Sequence, residues 1–179
     1  MSAVVKAMWS AQADELIHTT TRALLFSLGD TTYGLSVEYV ERVIELPSVI
    51  SVPRASDWLV GLAVYESTPL PLIDLRYFLQ PQQFTMKPED QAMPGRAIAV
   101  NCAHGKVLLA VDQLVTIADL SGRQHVVTTR PEFPEQFMEF ACKTDETIIG
   151  VVCMPKLLLA AGKQSAVQVK PMVQTGDLL

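Results

Sequence analysis

The chain has 179 residues, of which 49% are apolar and 18% charged, a balance typical of a globular protein rather than a disordered one. Its net charge is −5, and no cluster of Lys and Arg interleaved with aromatic residues occurs, which argues against nucleic acid as a partner. No segment has the apolar core of a signal peptide or the roughly 18 apolar residues of a transmembrane helix. We therefore expect a cytoplasmic protein that is not inserted in a membrane.

The first half of the chain predicts mostly strands. Residues 1–20 are interpreted as an N-terminal extension. After them, ALLFSLGDTTYGL predicts two strands joined by a tight turn at Gly29-Asp30, because turn residues between apolar runs are typical of a hairpin. VEYVERVIEL, from Val37, is interpreted as a short connection that leads into further β-rich segments. PLPLIDLRYFL, from Pro69, ends in a predicted short helix, LRYFL.

The same order of elements occurs a second time. VDQLVTIADL repeats VEYVERVIEL at a distance of 74 residues, and AIAVNCAHGKVLL repeats the first hairpin with a turn at His104-Gly105. Further along, ETIIGVVCMPKLLL, from Glu146, resembles PLPLIDLRYFL at an offset of 79, because the loops differ in length. PKLLLAAG predicts a second short helix with Pro155 in its first turn and its end at Gly162.

Two similar β units predict an all-β fold of two small barrels in one domain at residues 21–160, since a closed barrel leaves no unpaired sheet edge. We place the first subdomain at about 21–80 and the second at about 96–160. A polar, Pro-bearing linker at about 80–95 joins them. Residues 161–179 are interpreted as a C-terminal tail.

The sequence offers few candidates for catalysis. Asp74 directly precedes LRYFL, where a helix cap accounts for an acidic residue without any reactive role. Glu38 and Asp112 occupy equivalent places in the repeat, and a structural role or a partner contact is the expectation for such duplicated positions. A small cytosolic enzyme that uses Asp74 or Cys153 remains as a remote alternative.

Metal and cofactor sites are not predicted. The three cysteines form no CxxC pair, the three histidines lack metal-ligand spacing, and no glycine-rich phosphate loop is present. We interpret Cys102, Cys142 and Cys153 as small apolar residues in or beside the core.

The segments VEYVERVIEL and VDQLVTIADL are unusually apolar for connections between strands. Some of their side chains fill the barrel cores. If the barrels pack side by side, the others would line a groove at the junction, which would suit an apolar helix of a partner. Val40 and Leu114 are the residues whose replacement by Asp would test this hypothesis.

In this order, FSLGDTTYGLSVEYVERVIEL, VPRASDWLVGL and PLPLIDLR resemble the CheW-like family of chemotaxis coupling proteins, from about Leu24 to Leu159. The resemblance implies two five-stranded SH3-like β-barrels packed side by side. It also implies a non-enzymatic adaptor without a cofactor, located at receptor arrays and able to self-associate weakly. Its partners would be the cytoplasmic tip of methyl-accepting chemoreceptors and the regulatory domain of a CheA-type histidine kinase.

The resemblance also assigns roles to individual residues. Those expected at the receptor groove are Val37, Val40, Glu41, Val43 and Leu114. Those expected to face the kinase are Gly61, Tyr65, Glu66 and Ser67. Those expected to be structural are Tyr33, Gly34, Asp74 and Arg76.

The chain departs from the family in one of these stretches. Relatives read approximately GxxNLRGxxxPxxDLR where this chain reads GLAVYESTPLPLIDLR, so Glu66 stands at the Arg and Ser67 at the second Gly. A reversed charge changes which surface can dock there. The alternative is therefore a scaffold or localisation factor of a specialised pathway, such as one for pili or surface motility, that has lost the standard kinase contact.

Overall fold

The structure, a computed structural model, describes residues 21–82, 95–103, 105–121, 123, 125–127, 129–144 and 147–167. The predicted N-terminal extension, most of the predicted linker, His104 of the second turn and the end of the predicted tail lie outside the described residues.

The described chain is mainly β-structure. The strands of its first half are β1 (Arg22–Leu28), β2 (Thr31–Ser36), β3 (Val40–Glu45), β4 (Val49–Ile50), β5 (Leu59–Tyr65) and β6 (Thr68–Asp74). Those of its second half are β7 (Arg96–Cys102), β8 (Gly105–Val111), β9 (Gln113–Asp119), β10 (His125–Val126), β11 (Met138–Lys143) and β12 (Ile148–Val152). Helical segments are α1 (Arg76–Leu79), a 3-10 turn (Glu135–Phe137) and α2 (Met154–Val167).

The sequence repeat corresponds to equivalent strands. A shift of 74 residues carries β1 (22–28) onto β7 (96–102), and a shift of 79 carries the start of β5 at Leu59 onto the start of β11 at Met138. The first predicted hairpin is confirmed, because β1 and β2 pair directly around Gly29 and Asp30. The segments expected to be connections, VEYVERVIEL and VDQLVTIADL, instead contribute the strands β3 and β9.

The strands form two sheets of six, where five strands per barrel were expected. Sheet A has the order β10-β11-β12-β2-β1-β9, and sheet B has the order β3-β7-β8-β6-β5-β4. All neighbours are antiparallel except the pairs β12–β2 and β6–β8, which are parallel. The two exceptions are equivalent in the repeat, so both sheets follow one pairing plan.

Each sheet contains a hairpin from the other half of the chain. The β1–β2 hairpin lies in sheet A with β9–β12, and the β7–β8 hairpin lies in sheet B with β3–β6. The divisions at about 21–80 and 96–160 therefore mark the repeat along the sequence but do not coincide with the sheets. Because strands of each half complete the sheet of the other, neither half contains a whole sheet of its own.

The core has one large part that both sheets share and two smaller parts. The shared core takes side chains from both sheets and both helices, among them Phe26, Tyr33, Ile73, Phe78, Ile98, Leu109 and Leu157. Sheet B also has its own cluster, which includes Ala63, Tyr65, Leu72 and Leu108. The corresponding cluster of sheet A includes Ala23, Leu25, Ile149 and Val151. The strands β1, β6, β7 and β8 each contribute side chains to two of these clusters, so they are buried on both faces, which explains their nearly continuous apolar sequences.

Helix α2 is longer than the sequence predicted. Pro155 lies in its first turn, as expected, but the helix continues through Gly162 to Val167, so the predicted end at Gly162 is wrong and the predicted tail begins inside the helix. Leu157, Leu158 and Ala161 are buried in the shared core. Their packing outweighs the cost of about 1 kcal/mol that a glycine imposes on a helix interior.

Candidate partner-binding surfaces

The predicted groove residues Val40, Val43 and Leu114 all lie at the border of the shared core. They are half-buried and pack against its buried side chains. Val40 and Val43 belong to β3, and Leu114 belongs to β9, at the position equivalent to Val40 in the repeat. Because β3 ends sheet B and β9 ends sheet A, each sheet contributes one terminal strand to this border.

Ile117 completes the same pattern, although sequence reasoning did not select it. It is the repeat equivalent of Val43, it pairs with Leu24 of the shared core across β1 and β9, and 55% of it is exposed. The alignment of the two repeats contained the signal, since a groove residue in one copy predicts one in the other. We call Val40, Val43, Leu114 and Ile117 the core border.

Val37 and Glu41 lie differently from these residues. Val37 lies in the turn between β2 and β3, where its backbone N–H donates a 3.1 Å hydrogen bond to the Arg22 carbonyl. Glu41 is exposed at a β-bulge in β3, because the register with β7 shifts between Val40 and Arg42. A bulge leaves one residue without a cross-strand partner and redirects its side chain.

Glu41 meets a residue that was predicted for the other surface. Its Oε1 lies 2.7 Å from Lys106 Nζ and accepts a 3.4 Å hydrogen bond from the Tyr65 hydroxyl. The hydrogen bond from Lys106 lowers the pKa of the Glu41 carboxyl. Lys106 Nζ also lies 6.0 Å from the centre of the Tyr65 ring, within cation–π range. A groove candidate and a kinase-facing candidate thus contact one another.

Glu66 joins this group through Arg42. Arg42 Nη1 lies 3.8 Å from Glu66 Oε1, and both side chains are more than half exposed, so the pair is screened by water and contributes little to stability. We call Glu41, Arg42, Tyr65, Glu66 and Lys106 the charged cluster. No sequence signal pointed to Arg42 or Lys106, because their partners, Glu66 and Glu41, are distant from them along the chain.

Glu66 and Ser67 form the two-residue turn between β5 and β6, and both are exposed. Their φ angles are 48° and 65°, as a type I′ hairpin turn requires. Asn and Gly are the usual residues of such a turn, and other residues are strained in the left-handed region. The turn therefore holds the Glu66 carboxylate at an exposed tip in a strained backbone conformation.

Gly61 is buried rather than presented at the surface. A Cβ atom there would lie 2.5 Å from the Ile50 carbonyl oxygen, so only glycine allows β4 to approach β5 this closely. Gly61 also lies at a shift in the register between β5 and β6. Gly61, expected among the kinase-facing residues, thus lies where β4 and β5 approach each other closely.

An apolar strip lies beside the turn on the outer face of sheet B. Ile50 is 62% exposed and Val64 is 50% exposed. Ile50 pairs with Leu62 across β4 and β5, and Val64 pairs with Pro69 across β5 and β6, so the four side chains share one face. We call these four residues the outer strip. Exposed apolar residues that adjoin one another in this way are typical of a protein interface.

Comparison with known proteins assigns the chain to a family. The family described as "CheW-like domain" matches residues 22–161, which is most of the chain. The chain belongs to the CheW-like family. Its fold is similar to that of the scaffolding protein TtCheW from Thermoanaerobacter tengcongensis, at 23% identity, with a TM-score of 0.59 and coverage of 75% of this chain and 89% of that chain. A comparison with curated proteins returns no match.

Family membership confirms two expectations from the sequence. The fold is that of two SH3-like barrels, and the domain is of a non-enzymatic scaffold type. In the part of the chain that the structure describes, no helix is long and apolar enough to cross a membrane.

Tyr33 lies at the centre of the CheW-like domain. It is fully buried, its ring stacks on Phe26, and its hydroxyl donates a 2.6 Å hydrogen bond to the Glu132 carbonyl. Gln80 donates to the Tyr33 hydroxyl at 3.3 Å and to the Leu28 carbonyl at 3.0 Å. Burial raises the pKa of Tyr33 to about 12. Tyr33 therefore connects the first hairpin to segments from both halves of the chain.

Gly34 gives the neighbouring strands room to approach. A Cβ atom there would lie 3.3 Å from Ala23 Cβ and 3.4 Å from side-chain atoms of Leu25 and Val151. These three residues belong to the cluster of sheet A. A small residue is therefore favoured at this position of β2.

Asp74 and Arg76 form a buried polar connection. The Asp74 Oδ1 accepts a 2.9 Å hydrogen bond from the Arg76 backbone N–H, as the predicted cap would, although the residue directly before α1 is Leu75. Burial raises the pKa of Asp74, while this hydrogen bond and the Arg76 charge oppose the rise. Arg76 also contacts Asp112, which sequence reasoning did not connect with it.

Asp74 and Cys153, the two residues of the enzyme alternative, lie just before α1 and α2. Asp74 faces the Arg76 backbone and guanidinium, and Cys153 is half-buried directly before α2. Burial raises the pKa of the Cys102 thiol to about 11, which disfavours the reactive thiolate. Among the described residues, no group of three or more His, Cys, Asp or Glu side chains could hold a metal ion.

Proposed function

We propose that this CheW-like domain is an adaptor that links the cytoplasmic tip of a methyl-accepting chemoreceptor to the regulatory domain of a CheA-type histidine kinase. The observation that carries the proposal is the presence of two apolar surfaces on different strands. The core border lies on β3 and β9, and the outer strip lies on β4, β5 and β6. Two surfaces allow one small domain to hold two partners at once.

The core border suits a helical partner. Its four side chains are apolar, only partly buried and contributed by a terminal strand of each sheet. A partner helix with apolar residues at spacings of three and four would bury the apolar surface of these side chains that is exposed to solvent. A receptor tip, which is a helical hairpin, has this shape. Val37, in the turn that leads into β3, would extend the contact.

The outer strip and the adjoining turn suit a partner with a β-sheet surface. Ile50 and Val64 provide exposed apolar area, and Glu66 provides charge at the edge of it, which is the usual arrangement of an interface with an apolar centre and a polar rim. Tyr65, buried at the end of β5, directly precedes the turn. Ser67 would contact the kinase through the exposed backbone of the turn. An adaptor with these two partners would act in the cytoplasm, at receptor arrays.

The charged cluster lies between the two surfaces. Val40 at the core border and Glu41 in the charged cluster are consecutive residues of β3, while Glu66 in the same cluster adjoins the outer strip. A partner that moves β3 would therefore act on the Glu41–Tyr65 and Arg42–Glu66 contacts beside the β5–β6 turn. This gives the adaptor a physical means of transmitting a change from one partner to the other.

Isothermal titration with a receptor tip fragment and, separately, a kinase regulatory domain tests the proposal. Ile117→Asp is the preferred probe of the core border, because Ile117 is 55% exposed and its replacement disturbs the core less than that of Val40 or Leu114. Ile50→Asp is the matched probe of the outer strip. We expect Ile117→Asp to weaken receptor binding at least tenfold and to leave kinase binding unchanged. Ile50→Asp should do the reverse. Loss of neither interaction in either variant would contradict the proposal.

A second candidate function is a scaffold or localisation factor that has lost the standard kinase contact. The observation that favours it is Glu66, which stands where relatives have Arg and is paired with Arg42 inside the domain. Glu66→Arg combined with Ser67→Gly would restore the pattern of the relatives. If the natural domain binds the receptor fragment alone and the double variant gains kinase binding, the scaffold function is the correct one.

A further inference from the structure

Strained backbone conformations lie at both ends of the outer strip. Among the residues that the structure describes, the non-glycine residues with a positive φ are Arg54, Glu66 and Ser67, with angles of 58°, 48° and 65°. This region favours glycine, because a Cβ atom is crowded there. Arg54 lies in the connection between β4 and β5, and Glu66 and Ser67 form the turn between β5 and β6. In the described chain this strain is thus confined to the segments that join the strands of the outer strip, and such strain is concentrated at functional sites.

Arg54 is the second central residue of a tight turn. The backbone N–H of Ala55 donates a 3.2 Å hydrogen bond to the Val52 carbonyl, with Pro53 and Arg54 between them. Proline at the first central position and a positive φ at the second are typical of a type II turn, in which the second residue is usually glycine. The β5–β6 turn departs from the usual residues in the same way. At both turns, an exposed charged side chain stands where glycine or asparagine would be less strained.

The two charges lie at opposite ends of the outer strip. Glu66 directly follows β5, at the end of the strip where Val64 pairs with Pro69. β4 is antiparallel to β5, so it runs away from the β5–β6 turn, and the connection that contains Arg54 begins at its far end. This connection then returns to the first residue of β5, Leu59. The apolar surface thus has a carboxylate beyond one end and a guanidinium beyond the other.

Two other charged residues lie near these ends, and neither removes the polarity. Arg42 Nη1 is 3.8 Å from Glu66 Oε1, which is longer than a hydrogen bond, and both side chains are more than half exposed. A cation of a partner can therefore replace Arg42 at the carboxylate at little cost. Asp57 is exposed in the same connection as Arg54, nearer to the start of β5, and it is not among the residues with a positive φ. The strained conformations thus single out Arg54 and Glu66.

We propose that the outer strip is a polarised docking site for the kinase regulatory domain, whose surface would present an apolar centre, a basic side chain toward Glu66 and an acidic side chain toward Arg54. Charge complementarity selects these groups, because an apolar contact brings the charges at its rim together. The polarity also fixes the orientation, since a partner turned end for end would meet like charges at both ends. This polarity rests on the proposed function, in which the outer strip faces the kinase, and adds to it the charges and the direction of that partner.

Reversal of both charges at once tests the polarity. Arg54→Glu with Glu66→Arg keeps the net charge of −5 and all four side chains of the outer strip, and it reverses only the direction of the charges along the strip. We expect isothermal titration to show that this double variant binds the kinase regulatory domain about a hundredfold more weakly than the natural chain, because like charges meet at both ends. Equal binding of the two chains would show that the direction of the charges is irrelevant and would overturn the proposal.

Neutral single variants measure each end separately. Glu66→Gln and Arg54→Gln should each weaken binding of the kinase regulatory domain about threefold. Asp57→Asn removes an exposed charge from the same connection as Arg54, and Glu45→Gln removes one from the end of β3. Both controls should change the affinity by less than about twofold. An effect at one end alone, or an equal loss in the controls, would contradict a polarised site.

Salt dependence gives a readout that does not require the variants to be equally stable. Salt screens charge pairs, so between about 0.05 and 0.5 M sodium chloride the natural chain should lose affinity relative to the double reversal. The two chains have the same net charge, so the contribution of the overall charge cancels in this comparison. Parallel salt dependences would show that no charge pairs form at the ends of the strip.

Ile50→Asp separates the polarity from the proposed function. If Ile50→Asp loses kinase binding and the double reversal keeps it, the outer strip is the docking surface but is not polarised. If the natural chain does not bind the kinase domain, or Ile50→Asp binds it as the natural chain does, the outer strip is not the kinase-facing surface and both proposals are wrong. A gain of kinase binding by Glu66→Arg with Ser67→Gly would favour the scaffold function and would also overturn the polarised site.

Discussion

Arg76 and Asp112, which belong to different halves of the chain, form an ion pair with 3.1 Å between Nη2 and Oδ1. The second carboxylate oxygen of Asp112 accepts a 2.7 Å hydrogen bond from the backbone N–H of Gly29. Asp112 lies between β8 and β9 and so connects the start of α1 with the turn of the first hairpin. Each sheet takes one hairpin from the other half of the chain. The contacts of Asp112 join the first of these hairpins to α1 and to the connection between β8 and β9.

Replacement of Asp112 by Ala should therefore destabilise the domain. The change removes a partly buried ion pair and leaves the Gly29 N–H without its acceptor, which together should cost about 1 to 2 kcal/mol in the free energy of unfolding. Asp112→Asn keeps an oxygen for Gly29 and should cost less. Asp30→Ala, at an exposed position of the same turn, is the control and should change stability by less than about 0.5 kcal/mol. Urea denaturation measures all three, and equal stability of the Ala and natural chains would show that the contacts are dispensable.

Tyr33→Phe should destabilise the domain by about 1 kcal/mol at neutral pH. The ring remains in place, but the Glu132 carbonyl loses a hydrogen-bond donor and the Gln80 amide loses an acceptor. Tyr39→Phe, at a half-buried tyrosine in the turn between β2 and β3, provides a comparison. Urea denaturation near pH 7 measures the difference.

The effect of Tyr33→Phe on the free energy of unfolding should also depend on pH in the alkaline range. The pKa of Tyr33 is about 12 in the folded chain and ordinarily 10, so the stability that its protonated form contributes is complete below pH 10 and is lost as the pH rises toward 12. The Phe variant lacks this titration. The difference in unfolding free energy between the natural chain and Tyr33→Phe should therefore shrink from pH 10 upward. A constant difference would show that Tyr33 titrates normally.

The repeat made the strand order predictable, but not the sheets to which the strands belong. Residues 22–28 and 96–102 have the same apolar pattern, so a pattern alone cannot distinguish pairing of a hairpin with its own half from pairing with the other half. The choice depends on contacts between distant segments, such as the pairing of Leu24 with Ile117. The end of α2 was missed for a related reason. Burial of Ala161 in the shared core carries the helix through Gly162, against local propensity.

The repeat and the family resemblance were enough to predict the apolar residues of the candidate surfaces, but not the contacts between charged side chains. The apolar residues Val40, Val43 and Leu114 follow from sequence pattern, and the structure places all three at the border of one core. The meeting of Glu41 with Lys106 could not be foreseen, because it depends on a bulge in β3 and on the position of β8 two strands away. Side-chain pairs of this kind arise only when the sheet has formed.

Ser67→Gly should stabilise the domain by about 1 kcal/mol, because Ser67 has a φ of 65° and glycine adopts this conformation without steric cost. Ser51→Gly is the matched control. Ser51 is exposed and has no positive φ, so glycine there should destabilise slightly by increasing the entropy of the unfolded chain. Thermal denaturation compares the two. If both changes lower the midpoint temperature, the β5–β6 turn is not strained.

Three glycines should respond differently to replacement by Ala. At Gly61 the added Cβ would lie 2.5 Å from the Ile50 carbonyl oxygen, which is backbone and cannot move without separating β4 from β5. At Gly34 the nearest atoms are side-chain atoms at 3.3 to 3.4 Å, which can shift by a few tenths of an ångström. At Gly95 nothing lies within 4 Å.

We therefore expect Gly61→Ala to cost about 3 kcal/mol, Gly34→Ala about 1 kcal/mol, and Gly95→Ala close to nothing. Hydrogen exchange adds a local readout to urea denaturation. Gly61→Ala should increase exchange at the amides of β4 and β5 more than at those of β1 and β9, because the forced separation occurs at one end of sheet B. An equal cost at Gly61 and Gly34 would mean that β4 can move away from β5 at little expense. In that case the position of Gly61 would not depend on glycine, and a direct role of this residue in partner binding would become the better interpretation.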